Sequence, residues 1–148
     1  MDYNFRCDCP FTSALDIIGD KWILVIIKQM LIEHKQTFKS FVESDEAIAT
    51  NILSAKLKWL EDFGIVLKTK LITNKKSNIY LLTEKGLALT PLIVELGFWS
   101  DQHLREFHPS LVEGVTMDVL RKDKAQFTKN VEQSYREMLA AINTLTHG

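Results

Sequence analysis

The spacing of apolar residues divides the first half of the chain into helices. A helix predicted over residues 21–33 has apolar side chains around almost its whole circumference, and a helix that is apolar on all sides lies in a core. A short helix is predicted over residues 12–18 before it, and Thr37 is a suitable N-cap for a third, short helix after it. A polar turn at residues 43–46 then leads to the next helix.

The fourth predicted helix, residues 50–63, is amphipathic. Leu53, Leu57 and Leu60 recur at i, i+4 and i+7 and therefore form one buried stripe. Gly64 stands where a helix-ending glycine is expected. These positions predict a helix that buries leucine on one side and presents small polar groups on the other.

A β-hairpin is predicted next. Two runs rich in β-branched and other apolar residues, 66–72 and 79–82, flank a polar stretch at residues 73–78 whose asparagines and serine are typical of turns. The pattern therefore places the tip of the hairpin in this polar stretch. Lys68 and Lys70 lie two residues apart, so both are expected on one face of the hairpin.

Two longer helices are predicted after the hairpin. Thr83 can cap a helix that runs to about Phe107, with a kink at Pro91. The last part of the chain carries apolar side chains mainly every three or four residues, which is the spacing of a heptad-like seam. The seam consists of Leu120, Phe127, Val131, Tyr135, Met138, Ile142 and Leu145. We expect it to form a dimer interface together with residues 84–107; packing against the same subunit is the alternative.

The order of these elements predicts a winged helix-turn-helix, mainly α with a small β-hairpin wing and long C-terminal dimerisation helices. A short helix joined by a tight turn to a second helix is a helix-turn-helix unit, whose second helix can lie in a major groove of DNA. The 148 residues, of which 46% are hydrophobic and 25% charged, suit a single domain. Within it, residues 9–83 are the predicted DNA-binding core and residues 84–148 the predicted helical dimerisation region.

The charge distribution favours DNA as a partner. The net charge is −1, but residues 49–82 contain six lysines and only two acidic residues, and a local basic face attracts nucleic acid whatever the net charge. Small polar side chains on the fourth helix suit base edges, and lysines suit phosphates; an ordinary solvated polar face is the alternative. The predicted DNA-binding residues are Thr50, Asn51, Ser54, Ala55, Lys56, Lys58, Lys68, Lys70, Lys75 and Lys76.

Several short motifs resemble the HxlR-type winged-helix regulators, a MarR-related family. The matches are Cys9-Pro10, Ala14-Leu15-Asp16-Ile17-Ile18-Gly19, Lys21-Trp22, Leu53, Leu57-x-x-Leu60-Glu61, Gly64-Ile65-Val66, Tyr80-x-Leu82-Thr83-Glu84-x-Gly86 and Pro91. The chain departs from the family at Ala49-Thr50, where Ser-Pro is usual, and at residues 75–77, which stand where Pro-Pro-Arg is common.

The resemblance implies a dimeric transcriptional regulator whose recognition helix is the fourth predicted helix and whose wing is the hairpin. It also aligns Cys9 with a cysteine that often senses oxidants or electrophiles, through a disulfide to the partner subunit more readily than to Cys7. From the residues themselves the reactivity of Cys9 stays open. A helix N-terminus favours its thiolate, whereas Asp8 and Asp16 disfavour it. An inert cysteine packed beside Trp22 is the alternative.

Other classes of function have little support in the sequence. Paired carboxylates, metal-ligand spacings and glycine-rich phosphate loops do not occur, so we predict no enzyme, no metal and no cofactor. Cys7 and Cys9 lack the setting of a thioredoxin-like motif. Without a signal peptide or a long apolar run, the protein is expected to be cytoplasmic and not in a membrane. A winged-helix module that binds protein instead of DNA is the alternative, and the sequence identifies no particular small-molecule effector.

Overall fold

The computed structural model describes residues 2–111 and 121–146. The helices are α1 (Pro10–Ile18), α2 (Lys21–Glu33), α3 (Phe38–Val42), α4 (Thr50–Asp62), α5 (Glu84–Leu87), α6 (Thr90–His103) and α7 (Lys124–Thr146), and the antiparallel strands are β1 (Val66–Leu71) and β2 (Asn74–Leu82). This order confirms the predicted mainly α fold with a winged helix-turn-helix. Within the described ranges, no helix combines the length and hydrophobicity of a transmembrane span.

Helix α2 forms the centre of the core, as its all-round apolar pattern predicted. Its buried apolar side chains are Ile23, Ile26, Ile27, Met30 and Leu31. Asp20 begins the helix, because its carboxylate accepts hydrogen bonds from the backbone N–H groups of Trp22 and Ile23. The leucine stripe of α4 is buried in the same cluster, so α2 fixes the position of α4.

Helices α3 and α4 form the helix-turn-helix. Thr37 caps α3 as predicted: its hydroxyl accepts the N–H of Ser40 at 3.1 Å, and the Ser40 hydroxyl accepts the N–H of Thr37 at 3.2 Å. The turn between the two helices is held to α2, because Glu46 accepts hydrogen bonds from Gln29 at 2.8 Å and from Lys28. The start of α4 is therefore fixed from both sides.

The hairpin differs from the prediction at its tip. Strand β2 already begins at Asn74, so the turn is shorter than the stretch predicted over residues 73–78. Across the hairpin Lys70 pairs with Asn78, whereas Leu71 pairs with Asn74, so the residues between these two asparagines bulge out of the ladder. The bulge is polar like a turn, and the alternation of a strand is absent from it, which is why the sequence pattern misplaced the tip.

The single helix predicted after Thr83 is in fact two helices, α5 and α6. Thr83 caps α5 as predicted, since its hydroxyl accepts the N–H of Gly86 at 3.3 Å. Pro91 then lies in the first turn of α6, where its missing N–H leaves no intrahelical bond unmade and its fixed φ suits a helix start. The proline thus begins a helix instead of kinking one, and α6 ends at His103, not near Phe107.

The C-terminal helix α7 packs on its own chain. Tyr135 is buried in the main core, with Val131 and Met138 packed against that core, and Ile142 is buried in a second, smaller cluster. This arrangement is the alternative that the heptad-like spacing left open. Leu120, the first residue of the predicted seam, lies outside the described residues.

Candidate nucleic-acid interface

The outer face of α4 carries the predicted base-reading residues. Thr50, Asn51, Ser54, Ala55 and Lys58 are all exposed, because the leucine stripe occupies the opposite side of the helix. Thr50, Ser54 and Lys58 follow one another at helical spacing, with Asn51 and Ala55 in the neighbouring row. Amide, hydroxyl and methyl groups are the groups that recognise base edges in a major groove. The face therefore has suitable chemistry and is free of bulky side chains.

The two lysines of α4 are already paired within the chain. The Lys56 ammonium lies 2.9 Å from Asp20 Oδ2 and is only partly exposed. Partial burial acts to raise the pKa of Asp20, but hydrogen bonds from Lys56 and from the N–H groups of Ile23 and Trp22 hold it below its usual value. Lys58 lies 3.2 Å from Asp62. Lys56 thus ties α4 to α2, in addition to any contact with phosphate.

The wing has a lysine face and an apolar face. Lys68 lies opposite Tyr80 and Lys70 opposite Asn78, and both lysines are exposed on one face, as predicted. Lys75 and Lys76 are also exposed, but they lie in the bulge of β2 and not in a tip loop. In the described part of the chain, no carboxylate pairs with any of these four lysines.

An open groove of about 750 Å³ separates α3 and the start of α4 from the wing. Its walls include Thr37 and Lys39 on one side and Ser77, Asn78 and Tyr80 on the other. Thr37 and Lys39 were not among the predicted site residues, because only the fourth helix and the hairpin were predicted to contact DNA. The sequence signal for this site was a lysine, Lys39, in the first turn of the first helix of the helix-turn-helix. The groove joins the polar face of α4 to the lysine face of the wing.

Cys9 lies at the N-cap of α1 and is partly exposed, which does not fit an inert, buried cysteine. The donor groups in the first turn of α1, namely the N–H and hydroxyl of Thr12 and the N–H of Phe11, lower the pKa of the Cys9 thiol. Cys7 is exposed, and neither cysteine forms a disulfide in the described part of the chain. The start of α1 therefore raises the thiolate fraction of Cys9 above that of an ordinary cysteine.

The segment that carries the two cysteines is in contact with α4. The ring of Tyr3 packs edge-on against Trp59 and Phe63, with ring centroids 5.7 and 5.6 Å apart. Trp59 also donates a hydrogen bond to the carbonyl oxygen of Ile17 at 2.9 Å. A change in this segment can therefore reach α4 through a packed aromatic cluster.

Helices α1 and α6 expose large apolar side chains. These side chains are Phe11 and Leu15 on α1, and Leu92, Leu96 and Trp99 on α6. A hollow of about 310 Å³ lies between α1 and the entry to α6, lined by Ala14, Ile17, Ile18, Ile65, Lys85 and Leu89. An apolar surface of this kind marks an interaction site. Over residues 2–111 and 121–146, no cluster of three potential metal ligands occurs.

Comparison with known proteins identifies relatives of the winged helix. The family model of the HxlR-like helix-turn-helix matches residues 17–108. The HTH-type transcriptional regulator YodB of Bacillus subtilis (strain 168) is 36% identical over 95 residues, which cover 64% of this chain and 84% of YodB. The structure of PA1607 superposes with a TM-score of 0.64 at 31% identity, over 74% of this chain and 73% of PA1607.

A third relative is the redox regulator HypR. Its oxidized form superposes with a TM-score of 0.57 at 30% identity, over 64% of this chain and 97% of HypR. The family match ends at residue 108, before α7 begins. The chain therefore belongs to the HxlR-like helix-turn-helix family, which consists of transcriptional regulators and not of enzymes.

Proposed function

We propose that the protein is a transcriptional regulator that binds double-stranded DNA sequence-specifically as a homodimer. The observation that carries the proposal is the continuous surface formed by the outer face of α4, the adjoining groove and the lysine face of the wing. In this proposal α4 lies in the major groove. Asn51 suits the edge of adenine, Thr50 and Ser54 can bond several bases, and the methyl group of Ala55 suits thymine.

Lysines of the wing supply the phosphate contacts in this proposal. Lys68, Lys70, Lys75 and Lys76 are exposed and unpaired with carboxylates in the described part of the chain. Each phosphate that they neutralise releases counterions and makes the affinity depend more steeply on salt. Lys56 and Lys58 contribute less, because Asp20 and Asp62 already pair with them.

In this proposal the dimer forms through the predicted region 84–148, and the exposed residues of α6 are at the centre of the interface. The exposed residues of α1, which lies outside that region, also belong to the interface. Phe11, Leu15 and Trp99 are the most exposed large apolar side chains of these two helices, and a second copy would cover them. A twofold dimer presents two copies of α4 to half-sites about 34–36 Å apart, which is one turn of DNA.

Redox control through Cys9 is the finer part of the proposal. Its support is the lowered pKa of the thiol, the contact between its segment and α4, and the similarity to HypR, which is described as a redox regulator. An oxidant of the peroxide class would remove two electrons and two protons from two Cys9 thiols and join the subunits by a disulfide. The aromatic cluster then transmits the change to α4.

Selection of bound duplexes from a random pool tests the proposal, performed with and without a mild oxidant. We expect one enriched, twofold-symmetric motif. Asn51→Ala should lower affinity for that motif by roughly 1–3 kcal/mol, since a bidentate contact to a base is lost, and should leave binding to random DNA nearly unchanged. Gln133→Ala, on the exposed side of α7, is the matched control.

Two results would contradict parts of this proposal. An equal loss on selected and random DNA in Asn51→Ala would remove Asn51 from base recognition. For the redox part, Cys7→Ser should respond to the oxidant like the wild type, whereas Cys9→Ser should lose both the intersubunit disulfide and the change in DNA affinity. A response that survives in Cys9→Ser would mean that the signal is not read by Cys9.

A further inference from the structure

Helix α7 runs along the apolar face of the wing. A small buried cluster, separate from the main core, joins the two elements and consists of Ile79, Leu81 and Ile142, with Leu71, Met138 and Leu139 packed against it. In the register of the hairpin, neither Ile79 nor Leu81 lies opposite a lysine, and cross-strand partners share a face. The helix therefore covers one face of the wing and leaves the lysine face open.

Two backbone groups of the wing are bonded to α7 at opposite ends of the hairpin. At the base, the N–H of Leu82 donates to the phenol oxygen of Tyr135 at 2.8 Å. At the tip, the N–H of Ile72 donates to the carbonyl oxygen of Leu145 at 2.9 Å. The helix rises about 15 Å between Tyr135 and Leu145, and the six residues of β1 rise about 17 Å. The helix thus spans the whole paired part of the hairpin.

The same helix contacts the loop that leads into the helix-turn-helix. The ring of Tyr135 is edge-on to that of His34, with centroids 5.7 Å apart, and the amide of Gln36 donates to the sulfur of Met138 at 2.9 Å. The N–H of Tyr80 in β2 donates to the carbonyl oxygen of Gln36 at 2.8 Å. Loop, wing and α7 therefore form one packed unit behind the groove.

We infer that α7 is a brace that sets the position of the wing relative to α3 and α4, and that Tyr135 and Ile142 are positioning residues for DNA binding. The inference rests on the proposed function. A two-stranded hairpin is at best marginally stable alone, and a wing that is ordered only on DNA binds more weakly. Helix α7 lies beyond residues 17–108, so the match to the family model does not include the brace.

Hydrogen–deuterium exchange of the full-length protein without DNA tests the brace directly. In Ile142→Ala we expect the amides of the wing to exchange about tenfold faster or more, because truncation of a buried aliphatic side chain destabilises its local cluster. Tyr135→Phe keeps the ring and removes only the acceptor, so faster exchange should centre on the amide of Leu82. Ser134→Ala, at the exposed neighbouring position, should leave the wing unchanged.

Titration of the selected duplex at several salt concentrations tests the consequence for DNA. Affinity of Ile142→Ala should fall by about three- to tenfold, in proportion to the fraction of molecules whose wing is docked. The dependence of affinity on salt should become shallower, because fewer wing lysines reach phosphates. Circular dichroism of each variant checks that the helical fold is retained; Tyr135→Phe is the conservative variant should Ile142→Ala unfold.

The outcomes separate this inference from the proposed function. Wing exchange equal to that of Ser134→Ala in both variants would overturn the brace. Faster exchange with unchanged affinity and salt dependence would overturn the positioning role in DNA binding. A wild-type protein that binds no duplex would overturn the proposed function, while the exchange data would still decide whether α7 holds the wing.

Discussion

Helix α7 and the pair formed by α1 and α6 use their apolar residues in opposite ways. The helix α7 has the regular spacing that predicted a dimer seam, yet within its own chain Tyr135 is 0% exposed and Ile142 8%. Helices α1 and α6 leave Phe11 83%, Leu15 65% and Trp99 56% exposed. Periodicity thus indicates that a helix face is covered but does not indicate what covers it.

The chemistry of α7 explains why its apolar stripe stays within the chain. The Tyr135 hydroxyl, like other buried polar groups, needs a partner, and the N–H of Leu82 supplies it. Most of the remaining surface of the helix is polar or small, consisting of Gln126, Lys129, Asn130, Gln133, Ser134, Glu137, Ala140 and Ala141. The helix consequently has no second apolar stripe for a partner subunit, and α6 with α1 is the better candidate.

Among the variants that test this difference between the helices, Tyr135→Ala should have the largest effect. It removes a fully buried ring and leaves the N–H of Leu82 without its acceptor, so the free energy of unfolding should fall by about 3–5 kcal/mol. Urea denaturation followed by tryptophan fluorescence measures the change. Ser134→Ala is the control and should unfold like the wild type.

The same variant distinguishes a brace from a seam between subunits. If the stripe of α7 packed against a second copy, Tyr135→Ala would weaken the dimer and leave the stability of the separated subunit unchanged. Light scattering and denaturation at several protein concentrations resolve the two cases, since only the loss of an interface residue raises the concentration at which the subunits dissociate. A loss of the dimer without a loss of subunit stability would show that α7 is the dimer helix after all.

Trp99→Asp should have the next largest effect, this time on assembly. Aromatic residues at the centre of an interface commonly contribute about 2 kcal/mol or more, so the variant should be largely monomeric where the wild type is dimeric. The subunit itself should keep its stability, because Trp99 is 56% exposed in it. Light scattering over a range of concentrations measures the change.

Ile32→Asp provides the matched control for that experiment. Ile32 is 44% exposed near the end of α2, outside α1 and α6, and should not affect assembly. A Trp99→Asp protein that remains as dimeric as this control would exclude the α1 and α6 face as the interface.

The sequence predicted much of the fold because short-range rules governed most of it. The stripe of Leu53, Leu57 and Leu60 placed α4 correctly, and the hydroxyls of Thr37 and Thr83 marked two helix starts that the structure confirms. Errors arose where two short-range signals conflicted. A proline can either kink a helix or begin one, and the polar residues after Thr73 suit either a turn or a bulge. The sequence pattern alone does not distinguish these alternatives.

The candidate site was less predictable, because pairing across the chain decides which charges are available. Lys56 and Lys68 look alike in sequence, yet Asp20, 36 residues away, binds only Lys56. No short-range sequence pattern predicts this ion pair. The groove likewise brings Lys39 close to the wing, and only the tertiary fold creates that neighbourhood.

The smallest expected effect concerns Cys9, which begins the exposed helix α1. The N–H and hydroxyl of Thr12 and the N–H of Phe11 lower the pKa of its thiol. The thiolate is the reactive form, so alkylation of Cys9 by iodoacetamide should rise with pH and level off at a lower pH than alkylation of free cysteine. At pH 7 Cys9 should react roughly two- to fivefold faster, because a lower pKa also reduces the nucleophilicity of each thiolate.

Thr12→Val in a Cys7→Ser background isolates the cause of this reactivity. Loss of the hydroxyl removes one of the three donor groups that lower the pKa of Cys9, so the alkylation profile of Cys9 should move to higher pH while the backbone donors still act. Ser13→Ala is the control, since the Ser13 hydroxyl donates to the carbonyl oxygen of Cys7 at 3.4 Å and not to the sulfur of Cys9. A Cys9 profile that coincides with that of free cysteine would show that the start of α1 does not activate the thiol.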